Sequence, residues 1–299
     1  MNPAQEVINI ILASNDNYAQ PLGVALYSIL DNFKSKKHTL KITVLDGGIV
    51  KENKAKILAI GSTFNTEIDF REISNDDFKD FPLVQYFSIV MYYRLLIPTF
   101  FKGRADKVIY IDCDTLTLGN IATLYEHDIQ GFYLGAVRDF VESSVLTLNC
   151  PFYKDIKKYF NSGVLLLNIQ KMNEDNFVQK SFDFLKEHSS ALLYPDQDAL
   201  NYLCIDNWFE LDREWNTQLD RSAEKIEPQP SVLHYTTDFK PWYRFYHNYY
   251  QKYYMSYLKK AWPGYTIKPV SFVVAVKQCL KYIPGSVSSV RLVKKLLGR

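Results

Sequence analysis

The apolar positions of this chain fall in short blocks separated by polar turns, and the blocks alternate between two periods. Val7 to Ala13 is a nearly unbroken apolar run, which predicts a strand buried on both faces. A polar segment, SNDNY, follows it. Pro21 to Phe33 then repeats its apolar residues at helical spacing. Leu40 to Leu45 reads as a second strand, closed by Asp46-Gly47-Gly48. Val50 to Ile60 reads as a helix, and Glu67 to Ile73 alternates as a third strand. Tyr86 to Ile97 is predicted helical and to stop before Pro98, because proline disfavours helical backbone in the residue ahead of it. Val108 to Ile111 predicts a buried strand, with further strands at Tyr133 to Val137 and Ser162 to Ile169. Glu174 to His188 is patterned as an amphipathic helix, and Asp196 to Cys204 starts another. Strands alternating with helices predict an α/β domain with a largely parallel sheet.

Composition sharpens this picture. With 299 residues, 47% of them hydrophobic, the chain can bury one large core with a smaller appendage. Its 22 tyrosines suit surfaces that are apolar yet carry a hydrogen-bonding tip, as sugar sites do. Cys113, Cys150, Cys204 and Cys279 lack metal-type spacing and predict free thiols in a reducing compartment. The N-terminus has no basic region ahead of an apolar run, and no stretch reaches membrane-spanning length. A cytoplasmic protein is expected.

The net charge of +2 conceals a division. Lys240 to Arg299 holds 12 basic and no acidic residues, whereas the rest of the chain holds 23 basic and 33 acidic ones. Composition changes near Pro228 to Trp242, which divides the chain into a body, residues 1–242, and an aromatic and basic extension, residues 243–299. Within the extension, residues 272–283 and 287–297 carry apolar residues at near-helical spacing with Lys and Arg between them. Such segments bind anionic membrane surfaces, so attachment to the inner face of the cell membrane is expected. Nucleic acid is not the expected partner, because the acidic body would repel its phosphates.

The chemistry concentrates in KVIYIDCDTL. A strand that ends in Asp112 and Asp114 aims two carboxylates one way, since residues i and i+2 share a face, and turns Cys113 toward the core. Unpaired, they would repel each other; a hard divalent cation between them removes the repulsion and bridges to phosphate oxygens. Neither GxGxxG nor GxxxxGK[ST] occurs, so no dinucleotide fingerprint or P-loop holds a nucleotide here. Three readings compete: two solvated aspartates at a strand end, the nucleophile and acid of a haloacid-dehalogenase-type phosphatase, or a metal-dependent glycosyltransferase. The phosphatase motif belongs on the first strand of its domain. Here at least three strands precede the pair.

Six ordered motifs decide among them: ASNDNY at 13–18, SIVMYYRL at 88–95, VIYIDCDTL at 108–116, YFNSGVLLLN at 159–168, PDQDALN at 195–201 and LHYTTDFKPW at 233–242. Together they resemble the retaining glycosyltransferases of family 8, which include bacterial lipopolysaccharide galactosyl- and glucosyltransferases and glycogenin. The resemblance covers about residues 7 to 242. It implies a GT-A type α/β domain with a mixed, mostly parallel central sheet, followed by a helical basic C-terminal extension. It also implies transfer of glucose or galactose from a UDP-sugar to a glycan or glycolipid acceptor, α-linked, with Mn²⁺, or Mg²⁺ in its place. By this resemblance Asp112, Asp114 and His234 hold the metal and Lys240 meets the diphosphate. Ala13, Asn15, Asn17 and Tyr18 form the uridine loop. Arg94, Asp139, Asn161, Asp196 and Gln197 surround the transferred sugar. The chain departs from its relatives at two places: Asn15 stands where some carry Asp, and Thr237 replaces a glycine beside the phosphate. Gln197 is a poor nucleophile, and Asp198 is expected to turn into the fold. Front-face attack, with the leaving phosphate oxygen taking the acceptor's proton, is therefore the expected route to retention. A non-catalytic UDP-sugar-binding scaffold is the alternative from another class.

Overall fold

The N-terminal apolar run becomes β1 (Glu6–Ser14), flanked on one edge by β2 (His38–Asp46) and on the other by β4 (Lys107–Ile111), both parallel to it. The computed structural model describes residues 5–78, 81, 88–140, 158–205, 207–220, 223–238, 240–244, 246–265 and 267. Among these, β3 (Ile68–Glu72), β6 (Leu134–Arg138), β7 (Phe160–Asn168) and β8 (Trp208–Glu210) complete a seven-stranded sheet in the order β3-β2-β1-β4-β7-β6-β8. Only β7 runs against its neighbours β4 and β6; every other pairing in this sheet is parallel. The sheet is thus mixed and mostly parallel, as expected.

Side chains alternate across it and feed two cores. Ile8, Ile10 and Leu12 of β1, with Ile109 and Ile111 of β4, face one layer. Ile11 and Ala13, with Val108 and Tyr110, face the other. The first layer holds helix α1 (Ala19–Asn32). The second holds a 3-10 segment, Ile89–Leu96, that runs into the short helix α3 (Ile97–Phe101). Helix α2 (Lys51–Thr63) precedes β3, and α4 (Ile121–Tyr125) precedes β6. Three helices follow β7: α5 (Ile169–Glu174), α6 (Phe177–Glu187) and α7 (Pro195–Leu203).

Two expectations need correction. The helix does not stop before Pro98. Its described part, from Ile89, is 3-10, and Pro98 sits in the first turn of α3, where its missing N–H has no intrahelical partner to lose. Residues 86 and 87 of that expectation lie outside the described residues. Glu174 to His188 is not one helix, because α5 ends at Glu174 and Asn176 adopts a left-handed φ of 53° before α6 begins. Asparagine is one of the few side chains that tolerate this conformation.

A second sheet escaped the sequence reading. It joins β5 (Thr115–Thr117), β10 (Val232–His234) and β9 (Thr217–Gln218) in the order β5-β10-β9. Strands of two or three residues are too short to show a period. This sheet begins directly after Asp114 and brings His234 opposite Thr115.

Helix α8 (Gln251–Ala261) lies in the extension and packs on α1. Tyr254, Leu258, Ala261 and Trp262 join the same core as β1 and α1. Gly23 makes room for this contact, since a Cβ there would stand 2.8 Å from Trp262 Cε3. Lys252, Lys259 and Lys260 of the helix stay exposed. Cys113 and Cys204 are free and buried. Cys150, Cys279 and the segments 272–283 and 287–297 lie outside the described residues. No helix among the described residues is long and apolar enough to cross a membrane.

Trp262 is only 7% exposed. Replacing it with alanine leaves a cavity against Gly23 and should lower stability by about 3–5 kcal/mol. The urea midpoint of Trp262→Ala checks this, and an unchanged midpoint would detach α8 from the core.

Candidate active site

Asp112 and Asp114 leave the end of β4 where the two sheets meet. Tyr110, two residues earlier on the same face, donates its hydroxyl to Asp112 Oδ1 at 2.6 Å. Burial pushes the Tyr110 hydroxyl well above its ordinary pKa, so it remains a donor. Arg94 comes from the 3-10 segment and places Nη2 2.9 Å from Asp112 Oδ1 and Nε 3.1 Å from Asp196 Oδ2. Its Nη1 also donates to the Ser162 carbonyl at 2.7 Å. Burial works against the guanidinium charge, but Asp112, with Tyr110 and Asp196, outweighs it and keeps Arg94 firmly protonated.

Asp114 has two partners of its own. His234 Nε2 lies 3.2 Å from Asp114 Oδ1, and Lys240 Nζ lies 2.7 Å from Oδ2. Burial alone would raise this carboxyl's pKa. Lys240 and His234 instead hold it far below the ordinary carboxylate range. Lys240 also donates to the Tyr235 carbonyl at 2.6 Å. Ligand atoms of Asp112, Asp114 and His234 lie within 4.8 Å of one another. Gly163 makes this possible, because a Cβ there would stand 2.2 Å from His234 Cε1 and 2.9 Å from Asp112 Oδ2. Two carboxylates and an imidazole nitrogen suit Mn²⁺ or a similar divalent cation, so these residues fit the implied metal.

The residues assigned to the sugar form a second group, joined to the first. Helix α7 is clamped to β7 by Asn201, which accepts from the Phe160 N–H at 2.8 Å and donates to its carbonyl at 2.9 Å. That clamp sets Asp196 and Gln197, in the first turn of α7, beside β7. Gln197 accepts from the Ser162 N–H at 2.9 Å and donates to Asp139 Oδ2 at 3.1 Å. Asn161 donates to the same oxygen at 3.0 Å. Asp198 turns inward as expected: Tyr159 Oη donates to Oδ1 at 2.6 Å, and the N–H groups of Leu193 and Tyr194 donate to Oδ2 at 2.8 and 3.0 Å.

The expected nucleotide loop borders the carboxylates. Ala13 ends the apolar run, and its carbonyl accepts from the Cys113 thiol at 3.1 Å. Among the described residues, Asn15 Oδ1 is buried without a hydrogen-bond partner. Asn17 is exposed in the same turn. Tyr18 is 38% exposed and meets Trp242 edge to face at 5.7 Å. Burial of the Tyr18 hydroxyl and the nearby Asp114 charge push its pKa up. Thr237 is half-buried between β10 and Lys240. Three groups in the network were not foreseen: Ser162, Tyr110 and Asn216. Ser162 lies inside the YFNSG motif, and Tyr110 shares the face of Asp112 by its spacing. Asn216, at the end of a short turn (Arg213–Asn216), carries no pattern.

Burial, against the opposing pull of Arg94, raises the Asp196 carboxyl to about 6. A carboxyl raised on folding binds its proton more tightly in the native protein, so its contribution to stability falls as pH rises through that window. The stability of the wild type relative to Asp196→Asn should therefore decline by up to about 3 kcal/mol between about pH 4 and pH 6 and level off above. Urea titrations of both proteins across that range measure it, and a flat difference would refute the shift.

Known proteins resemble this chain in sequence and in fold. The profile of Glycosyl transferase family 8 matches residues 9–245. General stress protein A of Bacillus subtilis (strain 168) is 31% identical over 255 residues, which cover 79% of this chain and 88% of that protein. A lipopolysaccharide 1,2-glucosyltransferase of Escherichia coli is 27% identical over 253 residues, covering 80% of this chain and 74% of that protein. The crystal structure of the galactosyltransferase LgtC in complex with donor and acceptor sugar analogs superposes with a TM-score of 0.72 at 26% identity, covering 85% of this chain and 96% of that one. The fold is of GT-A type, and the haloacid-dehalogenase reading falls away.

Proposed function

The chain belongs to glycosyl transferase family 8, and from that membership we propose that it moves glucose or galactose from a UDP-sugar to a glycan or glycolipid acceptor, with retention of the α configuration. The observation that carries the proposal is the convergence of Asp112, Asp114 and His234, ringed by Lys240 and Arg94. In this reading the three ligands hold Mn²⁺, or Mg²⁺, which offsets charge on the diphosphate when bound. Lys240 supplies a further cation to that diphosphate once freed from Asp114. Tyr18 lies against the base, and the orphaned Asn15 Oδ1 accepts from a base N–H. This amide accepts at the position where some relatives use a carboxylate. Ala13, Asn17 and Thr237 border the nucleotide.

Asp139, Asn161, Asp196, Gln197 and Arg94 surround the hexose in the proposal. Gln197 is an amide, both oxygens of Asp198 accept hydrogen bonds, Asp139 Oδ2 accepts from Asn161 and Gln197, and Asp196 Oδ2 pairs with Arg94, so the carboxylates near the hexose are engaged by the protein itself. That supports front-face attack, in which the leaving phosphate oxygen takes the acceptor's proton. Closure of the segment from Thr236 to Lys240 would keep water from the sugar. The lipopolysaccharide named for the Escherichia coli relative makes a cell-surface glycolipid the acceptor class of choice. The exposed lysines of α8, with the basic residues beyond it, support docking on the anionic inner face of the cell membrane.

UDP release from a panel of UDP-sugars tests the function. Slow hydrolysis of one UDP-hexose is expected with Mn²⁺, abolished by EDTA and in Asp112→Asn and Asp114→Asn. No release from any sugar, with no metal-dependent UDP binding, would leave only a scaffold on this fold. Lys240 generates a sharper expectation. It competes with a cation for Asp114 and also serves the diphosphate, so Lys240→Met should move two affinities in opposite directions. Mn²⁺ should bind the nucleotide-free protein about tenfold more tightly, and UDP should bind the metal-loaded protein more weakly. Calorimetric titrations measure both, and a loss of both affinities would mean that Lys240 merely supports the fold.

A further inference from the structure

The amides beside His234 have orientations fixed by the chemistry at their ends. Asp139 Oδ2 is a carboxylate oxygen and accepts from Asn161 Nδ2 at 3.0 Å. The Gly163 N–H can only donate, and it gives to Asn161 Oδ1 at 3.0 Å. Both anchors turn Asn161 the same way. Its Oδ1 therefore also accepts from Asn216, whose Nδ2 lies 2.9 Å away. This fixes Asn216 in turn, and sets its Oδ1 2.9 Å from His234 Nδ1. An oxygen at that distance requires a proton on Nδ1. Asn216 is 0% exposed and His234 4%, so solvent has little access to either partner.

We propose that Asn216 is a positioning residue that keeps a proton on His234 Nδ1 and so reserves Nε2 for the divalent cation. The relay Asp139–Asn161–Asn216–His234 then ties the hexose pocket to the metal site. The inference rests on the metal reading of Asp112, Asp114 and His234. Nε2 is the ring nitrogen that faces the pair, 3.2 Å from Asp114 Oδ1 and 4.0 Å from Asp112 Oδ2. A ring with its only proton on Nε2 would aim an N–H at the cation and leave its lone pair on the far side. A hydrogen bond to the other ring nitrogen is the usual device that decides which one is metallated. The backbone supports the arrangement, because β9 follows Asn216 directly and its Gln218 pairs with His234 of β10. The relay also gives the buried Asn216 amide a partner at each end, which accounts for an asparagine where a core would otherwise take an apolar side chain.

The test reads the ring itself. Metal-free protein labelled with ¹⁵N-histidine shows whether each ring nitrogen carries a proton, and His234→Gln assigns the signals. In the wild type at about pH 8, Nδ1 of His234 should be protonated; in Asn216→Ala it should lose the proton and become the bare nitrogen. Manganese titration followed by electron paramagnetic resonance should find binding weakened about 10- to 100-fold in Asn216→Ala. Asn216→Asp separates the two halves of the relay. Its carboxylate still accepts from Nδ1 but opposes Asn161 Oδ1, so Mn²⁺ affinity should hold while the added affinity of UDP-hexose over UDP falls. A bare Nδ1 in the wild type would overturn the inference. So would a folded Asn216→Ala protein with unchanged ring and Mn²⁺ affinity, or an Asn216→Asp protein that loses Mn²⁺ as fully as the alanine variant. If Asn216→Ala does not fold, the wild-type ring and Asn216→Asp still decide. A wild type that binds no Mn²⁺ would sink the metal reading, while the ring signals alone would still judge Asn216.

Discussion

Two carboxylates leave the end of a buried strand within a few ångströms of each other, and the structure meets that constraint with a cation for each. Arg94 takes Asp112 and Lys240 takes Asp114, with the His234 ring also beside Asp114. These partners come from three distant parts of the chain, so satisfying the carboxylates also draws the fold together. The 3-10 segment must lie on one face of β4 to deliver Arg94. The small sheet must form beyond β4 to deliver His234. The segment after β10 must return to deliver Lys240. Removing either partner of such a buried pair strands a charge, which is why the arrangement is all or nothing. It also makes the pair available to a stronger cation, since a divalent ion replaces several weak neutralising contacts by direct coordination.

The sequence made much of this legible, because the strongest signals lie where burial is most complete. Val7 to Ala13 could be assigned as a strand since both of its faces are covered, and Asp112 and Asp114 stood out because nothing apolar is gained by ending such a strand in carboxylates. The parts that the pattern misses follow from competing physics. At Pro98 the ring's steric rule predicts a helix end, whereas the chain uses the same proline at a helix start. At Asn176 a left-handed residue breaks a helical period that continues on either side. β9 and β10 hold two and three residues and exist through tertiary pairing rather than any local pattern. Asn216 is the clearest case: its role depends wholly on what stands at its two ends, and neither end is near it in sequence.

The extension is tied to the site through aromatic packing. Tyr254 of α8 lies 5.6 Å from both Trp242 and Tyr235, and Trp242 meets Tyr18 on the loop after β1. A helix whose outer face is basic thus braces, from beneath, both the loop assigned to the base and the segment that carries Lys240. Part of the chain's tyrosine content is explained in this way: large rings fill the space under two loops while offering few charged groups to a site already crowded with them.

Asp112, Asp114 and His234 are proposed to hold one divalent ion together, and a crystal grown with Mn²⁺ and UDP, with data collected at the manganese absorption edge, would reveal it. One anomalous peak in contact with Asp112, Asp114, His234 Nε2 and the diphosphate is the expected result. Bound UDP with no peak there, or with manganese held by other residues, would contradict it.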